Sequence, residues 1–283
     1  MKRVLSLVLV CIFALTVVTL AVGCDMERSV AATCFTGGRE SLGDLTVIMY
    51  HNTLAPYKKE SVYCINQNHL REDFEYLKIH GYNVVSSKQV INAAQNGRKL
   101  PEKAVMLTFD DGYLNNLKYA APLLEEYGFV GLFSVVGDYT EFDKEHTPKG
   151  SDFVYFGWDD MKEANSNDFI EIGLHSYSLH YTKPRKGVGK ISGESGEEYK
   201  SMLLEDTDKL LGALRKIGIS SNVYAYPFGE YCKESEQVLK SRGIVMTLTC
   251  NEGVNHIYTA EDLYLLRRFN RDATKAELRE IIG

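Results

Sequence analysis

Apolar residues along this chain fall into short unbroken runs separated by stretches in which they recur every three or four positions. Runs at 45–50, 84–85, 104–109, 131–136, 170–174, 223–226, 244–249 and 263–268 predict strands. Between them, helical spacing marks the end of an amphipathic helix over 74–81, closed by Gly81, and helices over 115–127, 158–165, 197–217 and 234–241. The 115–127 helix stops at Gly128, a residue suited to the left-handed turn that ends a helix. Strands alternating with helices predict a parallel sheet, closed as a barrel or open and doubly wound. Residues 183–198, rich in Gly, Lys, Ser and Glu, predict an exposed loop.

The chain begins with a segment of a different kind. Lys2 and Arg3 precede an uncharged apolar run to Gly23, the layout of an export signal. Small residues at Ala21 and Gly23 suit cleavage before Cys24, and the same stretch is similar to a bacterial lipobox, with Ala21 where leucine is usual. An uncleaved anchor is the third reading, because the run is about long enough to span a bilayer. All three place the remainder outside the cytoplasm, attached to the membrane at most through this segment or a lipid. The expected organisation is therefore a signal peptide or anchor over 1–23, a polar tether over 24–44, and one folded domain over 45–283.

Composition narrows the function classes. With 45% hydrophobic and 25% charged residues the chain is ordinary globular material. Formal charge is −6, from 32 basic and 38 acidic residues; without residues 1–23, which hold two bases and no acid, 30 minus 38 gives −8. A nucleic-acid partner, which needs a basic face, is disfavoured, and a monomer is expected. Cys34, Cys64, Cys232 and Cys250 are scattered without a CxxC pair, so a zinc–thiolate site is not expected.

Chemistry-bearing residues gather where strands end. Thr108-Phe109-Asp110-Asp111-Gly112-Tyr113 puts two carboxylates after a buried run and before a glycine. Asp-Gly is also a common turn dipeptide, but α/β enzymes place their sites at this end of a strand. His175 and His180 follow the 170–174 run, and a loop folding both toward Asp111 would make a two-histidine, one-carboxylate set with open positions, as hydrolytic zinc uses. His51 follows the first run, on the same rim if the strands are parallel, and its near-neutral pKa suits a general acid. Tyr226, Pro227 and Phe228 form an aromatic, rigid stretch suited to stacking on sugar rings or to packing over a barrel mouth. Trp158 carries the same ambiguity. Adjacent acids on one turn cannot flank a glycosidic bond from opposite sides, which argues against a glycosidase.

Together these stretches, from about Thr46 to Arg271, resemble the polysaccharide deacetylases of the NodB-homology group, carbohydrate esterase family 4. Thr108 to Tyr113 matches the family's first motif in full. The resemblance implies a distorted (β/α)7 barrel, Asp110 as catalytic base, and a divalent metal, zinc with cobalt or nickel as alternatives, on Asp111, His175 and His180. Most of the family spaces its two histidines four apart. The spacing of five here is similar to the poly-N-acetylglucosamine deacetylase branch, in which the barrel is circularly permuted and the acid histidine precedes the aspartate pair. That implies His51 as the acid.

One departure stands out. The family's arginine before Pro-Tyr, which orients the catalytic aspartate, has no counterpart just ahead of Tyr226-Pro227-Phe228-Gly229, and Arg268 is the candidate substitute. The implied activity is removal of N-acetyl groups from N-acetylglucosamine units of a cell-envelope or extracellular polysaccharide. An O-acetyl glycan esterase and a non-catalytic glycan-binding lipoprotein are the alternatives.

Overall fold

The computed structural model describes residues 40–141 and 151–283. The expected signal segment, with Cys11, lies outside the described residues, as does the tether up to residue 39, with Cys24 and Cys34. In chain order the strands are β1 (Gly43–Tyr50), β2 (Asn52–Leu54), β3 (Cys64–Asn66), β4 (Asn83–Val84), β5 (Ala104–Phe109), β6 (Gly131–Val135), β7 (Ile170–Leu174), β8 (Val223–Ala225), β9 (Met246–Leu248), β10 (Asn255–Ile257) and β11 (Phe269–Asn270). The helices are α1 (Gln67–Ile79), α2 (Ser87–Gln95), α3 (Ala121–Tyr127), α4 (Gly137–Glu141), α5 (Trp158–Ala164), α6 (Gly196–Lys216), α7 (Lys233–Ser241) and α8 (Leu278–Ile282).

The unbroken apolar runs become strands covered on both faces, as parallel sheets require. β5 is buried at every position and pairs along its whole length with β1, from Leu45 opposite Ala104 to Tyr50 opposite Phe109. Its other edge is shared, with β4 on Ala104 and Val105 and β6 from Leu107 onward. Parallel pairing continues through β7, β8 and β9. Residues 266–270 then cross back: Leu266 bridges Leu248 of β9, and β11 pairs in parallel with Ile48 and Met49 of β1. Strands β1, β5, β6, β7, β8 and β9 with this returning segment make the staves of a distorted (β/α)7 barrel, and β10 adds an antiparallel strand at the start of β1.

The two-residue period of the strands decides which side chains enter the lumen. Val47, Met106, Leu132, Ala225, Met246 and Leu248 fill one buried cluster. Their neighbours Ile48, Tyr50, Val105, Leu107, Phe109, Phe133 and Val135 join a second, shared with the helices. Emptying such a site, for example Phe109→Ala, costs about 3–5 kcal/mol. On the lumen side β7 carries Glu171, a buried carboxylate that accepts from the Ser87 and Lys88 N–H groups at the start of α2. Free amide hydrogens and the positive end of the helix dipole compensate its burial.

Several sequence expectations are modified. The helix expected over 115–127 starts as a π turn, Asn116–Ala120, before α3; Pro122, with no N–H to donate back one turn, follows the widened segment. The strand expected over 263–268 is not one. Residues 260–263 form a 3-10 turn, and regular pairing is confined to β11, because the Arg268 N–H bonds to the Asn251 carbonyl rather than to a strand ladder. The loop over 183–198 is only partly exposed. Arg185 turns inward to pair with Glu194 and lies over the Tyr199 ring, and Val188 is buried with its carbonyl bonded to the Tyr199 hydroxyl.

Candidate metal and catalytic site

Every parallel strand ends on one rim, and there the period of two sets the chemistry. Ala104, Met106, Thr108 and Asp110 face one way along β5 and beyond; Leu45, Val47, Met49 and His51 do so from β1, and Glu171, Gly173 and His175 from β7. His51, Asp110 and His175 therefore arrive at the lumen mouth by register alone. Asp111 would point away, but its backbone adopts a left-handed conformation, φ +71°, followed by Gly112 at φ +72°. Here glycine is required by more than φ, since a side chain at 112 would press on Val135, 3.3 Å away. Ser176 and Phe228 are left-handed too, at φ +69° and +57°. Each such non-glycine residue costs about 1–3 kcal/mol; Asp111 and Phe228 line one cavity, and Ser176 directly follows His175, which lines it too, the usual place for retained strain.

That cavity has a volume of about 500 Å³ and is lined by His51, Tyr63, Asp110, Asp111, His175 and His180, with Tyr113, Lys186, Phe228, Cys250 and Asn270 around them. Asp111 Oδ1 lies 3.5 Å from His175 Nε2 and 3.1 Å from His180 Nε2, and one ligand atom of each residue falls within 4.8 Å of the others. Both imidazoles are oriented from behind. His175 Nδ1 donates to the Ala225 carbonyl at 2.8 Å, and His180 Nδ1 sits 2.9 Å from the Tyr139 hydroxyl, which in turn donates to the His180 carbonyl at 3.1 Å. With Nδ1 carrying the hydrogen, each Nε2 offers a lone pair toward Asp111, the tautomer that metal ligation needs.

The five-residue histidine spacing is built by the turn between them. Ser176 reverses the chain, and Asp206, buried on α6, accepts from the Tyr177 and Ser178 N–H groups at 2.8 Å each. Neither Tyr139 nor Asp206 was found from the sequence. Asp206 left a trace, an acid within the buried stripe Leu203, Thr207, Leu210 and Leu214; Tyr139, in a five-residue helix, left none.

Asp110 has a different partner. Arg268 is fully buried and grips the Asp110 carboxylate at both oxygens, NH1 to Oδ1 and NH2 to Oδ2, each at 2.8 Å, while its Nε donates to the Thr249 carbonyl at 2.7 Å. Burial works against the ionised form of Asp110, but the Arg268 guanidinium, with His175 beyond it, outweighs this and holds the carboxyl below its ordinary range. Asp111 is also opposed by burial and, when the Nε2 atoms of His175 and His180 carry hydrogen rather than lone pairs, is held well below that range by their hydrogen bonds. Burial would lower the His175 pKa, yet Asp110 and Asp111 raise it overall. Burial pushes His51 down, against the pull of Asp111 and Asp110. Two ionised carboxylates facing two imidazole lone pairs make a site whose field favours a cation, so the donor set fits a divalent metal.

The aromatic expectations divide. Phe228 lines the cavity, its ring 4.5 Å from that of His180. Tyr226 does not; its side chain turns the other way by strand alternation, into the outer core, and its hydroxyl bonds Glu236. Pro227 is buried, and its carbonyl stands so close to Gly187 that a Cβ there would meet it at 2.4 Å. Trp158 packs against the outer core. Tyr113 lines the cavity and begins a row of rings with Tyr155 and Tyr139, whose centroids are 4.9 Å and 4.4 Å apart in succession.

The polysaccharide deacetylase family profile matches residues 97–247, which is 151 of 283 residues. The match takes in Asp110, Asp111, His175 and His180, while His51 and Arg268 fold in from either side of it. The chain is 26% identical over 255 residues to the poly-β-1,6-N-acetyl-D-glucosamine N-deacetylase of Escherichia coli strain K12; that alignment covers 83% of this chain but only 38% of the E. coli protein. Among solved structures, a de-N-acetylase from Aggregatibacter actinomycetemcomitans superposes with a TM-score of 0.69 at 24% identity, covering 84% of this chain and 99% of that one. IcaB from Ammonifex degensii gives 0.70 at 23% identity, with 85% and 97% covered. These two share the fold, and with the family profile spanning more than half its length, the chain belongs to the polysaccharide deacetylase family.

Proposed function

We propose that this deacetylase is a metal-dependent hydrolase that removes N-acetyl groups from N-acetylglucosamine units of a polysaccharide outside the cytoplasm. The observation that carries the reading is the convergence, in one cavity, of the Asp111, His175 and His180 donor set with a separate carboxylate, Asp110, that is held ionised by Arg268. Likeness to a relative named for poly-β-1,6-N-acetyl-D-glucosamine supports that substrate class. The apolar run over 1–23, read as a signal or anchor, followed by a tether and a catalytic domain over 45–283, supports the location.

In this reading Asp111, His175 and His180 hold a divalent ion, zinc by preference. When bound, such an ion supplies Lewis acidity toward the acetyl carbonyl and acidifies water at its open positions. Asp110 takes the proton of the attacking water, its carboxylate kept free of protons and aimed by Arg268. The Phe228 N–H, on its left-handed turn, is the candidate donor to the developing oxyanion; Pro227 has no N–H to give. His51 protonates the departing amine, without which the tetrahedral intermediate reverts to amide. The rings of Phe228 and Tyr113, which line the cavity, bound the sugar.

Absence of a motif arginine beside Tyr226 is what favoured a binding-only protein, and the Arg268–Asp110 pair removes that motive. The test is acetate release from β-1,6-linked N-acetylglucosamine oligomers, peptidoglycan and acetylated xylan, before and after chelation, with Asp110→Asn alongside. Release from the N-acetylated oligomers that chelation and the mutation abolish is expected. Release unaffected by either refutes the mechanism, release from xylan alone makes the protein an O-acetyl esterase, and binding without release makes it a glycan-binding protein.

A further inference from the structure

Directly after the paired aspartates the chain forms the π turn Asn116–Ala120. Such widened turns are rare and cluster at functional sites. Its first residue, Asn116, is 1% exposed, and both ends of its side-chain amide are engaged. Nδ2 donates to the His51 carbonyl at 2.7 Å, and Oδ1 accepts from the Thr53 N–H at 2.9 Å. The two bonded groups lie on one edge of the extended segment 51–53. On the other edge the Asn52 N–H bonds to the Tyr63 carbonyl. One planar amide thus acts as a strand partner for the segment that carries His51.

The consequence is geometric. His51 stands on β1's extension, whereas Asp110 and Asp111 stand on β5's, and both strands end before reaching these residues. Past Tyr50 and Phe109 the ladder gives only the Asp110 N–H to the Tyr50 carbonyl. Asn116 supplies the next connection, from five residues after Asp111 to the backbone on both sides of Asn52. A nearby clamp reinforces it, since Asn52 Nδ2 and Asn115 Nδ2 both donate to the Asp152 carbonyl, at 2.7 and 3.0 Å. A misplacement near 1 Å can cost roughly 100-fold in rate, so a fixed distance between proton donor and metal ligands has a kinetic value.

We infer that Asn116 is a positioning residue for the proton-donating step, holding His51 against the Asp110–Asp111 turn. This rests on the reading of His51 as the acid that protonates the leaving amine. Amides need that proton because an amine anion does not depart. Aryl acetates do not, because a phenolate leaves unaided. A residue that acts only through His51 is therefore selective for amide substrates.

The experiment uses the full zinc-loaded chain and two substrates, an N-acetylglucosamine oligomer and 4-nitrophenyl acetate. Asn116→Asp keeps the acceptor for Thr53 and loses the donor to His51; Asn116→Ala loses both. Both should lower kcat on the oligomer by about 10- to 100-fold, with KM, zinc content and the aryl acetate rate changed by less than about twofold. Amide and ester rates that fall together, or neither falling, overturn the inference. Thermal melts identify any variant that fails to fold, and Asn116→Ser then takes its place. His51→Ala reports on the underlying reading separately. If it is not amide-selective, His51 is not the acid; if it is and the folded Asn116 variants are not, only the positioning role fails.

Discussion

Replacing Arg268 with methionine puts the Asp110–Arg268 pair to a quantitative test. Both partners are almost wholly excluded from solvent, at 0% and 2% side-chain exposure, and the pair is closed by two contacts of 2.8 Å. Methionine fills part of the volume but leaves Asp110 buried without its counter-charge. Breaking a buried pair from one side costs about 3–5 kcal/mol. For a domain of this size that corresponds to roughly 2–4 °C per kcal/mol, so a fall in melting temperature of roughly 6–20 °C is expected. Asp110→Asn in the same background removes the stranded charge and should recover part of the loss, giving a coupling energy of about 0.5–3 kcal/mol in the double-mutant cycle. Activity carries a second signature. With Arg268 gone, burial raises the Asp110 carboxyl unopposed by its main counter-charge, and the acidic limb of the kcat/KM profile moves to higher pH. Calorimetry of the four proteins and a pH–rate profile of the single variant provide the readouts. Strictly additive melting shifts with an unmoved acidic limb would show that Arg268 neither stabilises nor tunes Asp110.

Other outcomes follow from the same geometry. Tyr139→Phe removes the oxygen beside His180 Nδ1 and should weaken zinc binding about 10- to 100-fold, measured by chelator competition, with little change in the melting temperature of the metal-free protein; unchanged affinity would deny Tyr139 that part. Chelation should lower the melting temperature by an amount that depends on metal concentration, about 2.7 kcal/mol being at stake at 100 times Kd, and Asp111→Ala should abolish the difference between chelated and loaded protein. His69 provides a pH test away from the site. Burial lowers its pKa, but bonds to Glu60 and Glu277 raise it overall. The charged form therefore stabilises the fold fully below the unfolded value of about 6.5, and that contribution is lost as pH rises through the higher folded value. His69→Gln should be least stable relative to the parent near pH 5.5 and approach it toward pH 8; a gap that widens with pH contradicts the assignment.

Much of the site was legible in the order of residues alone. The buried run ending in Thr108-Phe109-Asp110-Asp111-Gly112 marks a strand, its end and a turn in one stretch. His51 and His175 follow runs of the same kind, so parallel order alone put them on one rim. The expectation for Tyr226 failed for a related reason. Strand alternation extends past Ala225, so a residue one step along faces the outer core, and proximity to the rim says nothing about which way a side chain turns.

What the sequence determined by itself was local: apolar runs that can only be strands, glycines and acids where the chain must turn, and residue types able to bind a metal or move a proton. What the tertiary structure decided was pairing. Arg268 meets Asp110 across 158 residues, Asp206 reaches Tyr177 across 29 and Tyr139 reaches His180 across 41. Such contacts are fixed by how far each strand slides against its neighbour and by which helix face docks on it. Those choices are made by packing the whole barrel, and no short window of sequence encodes them.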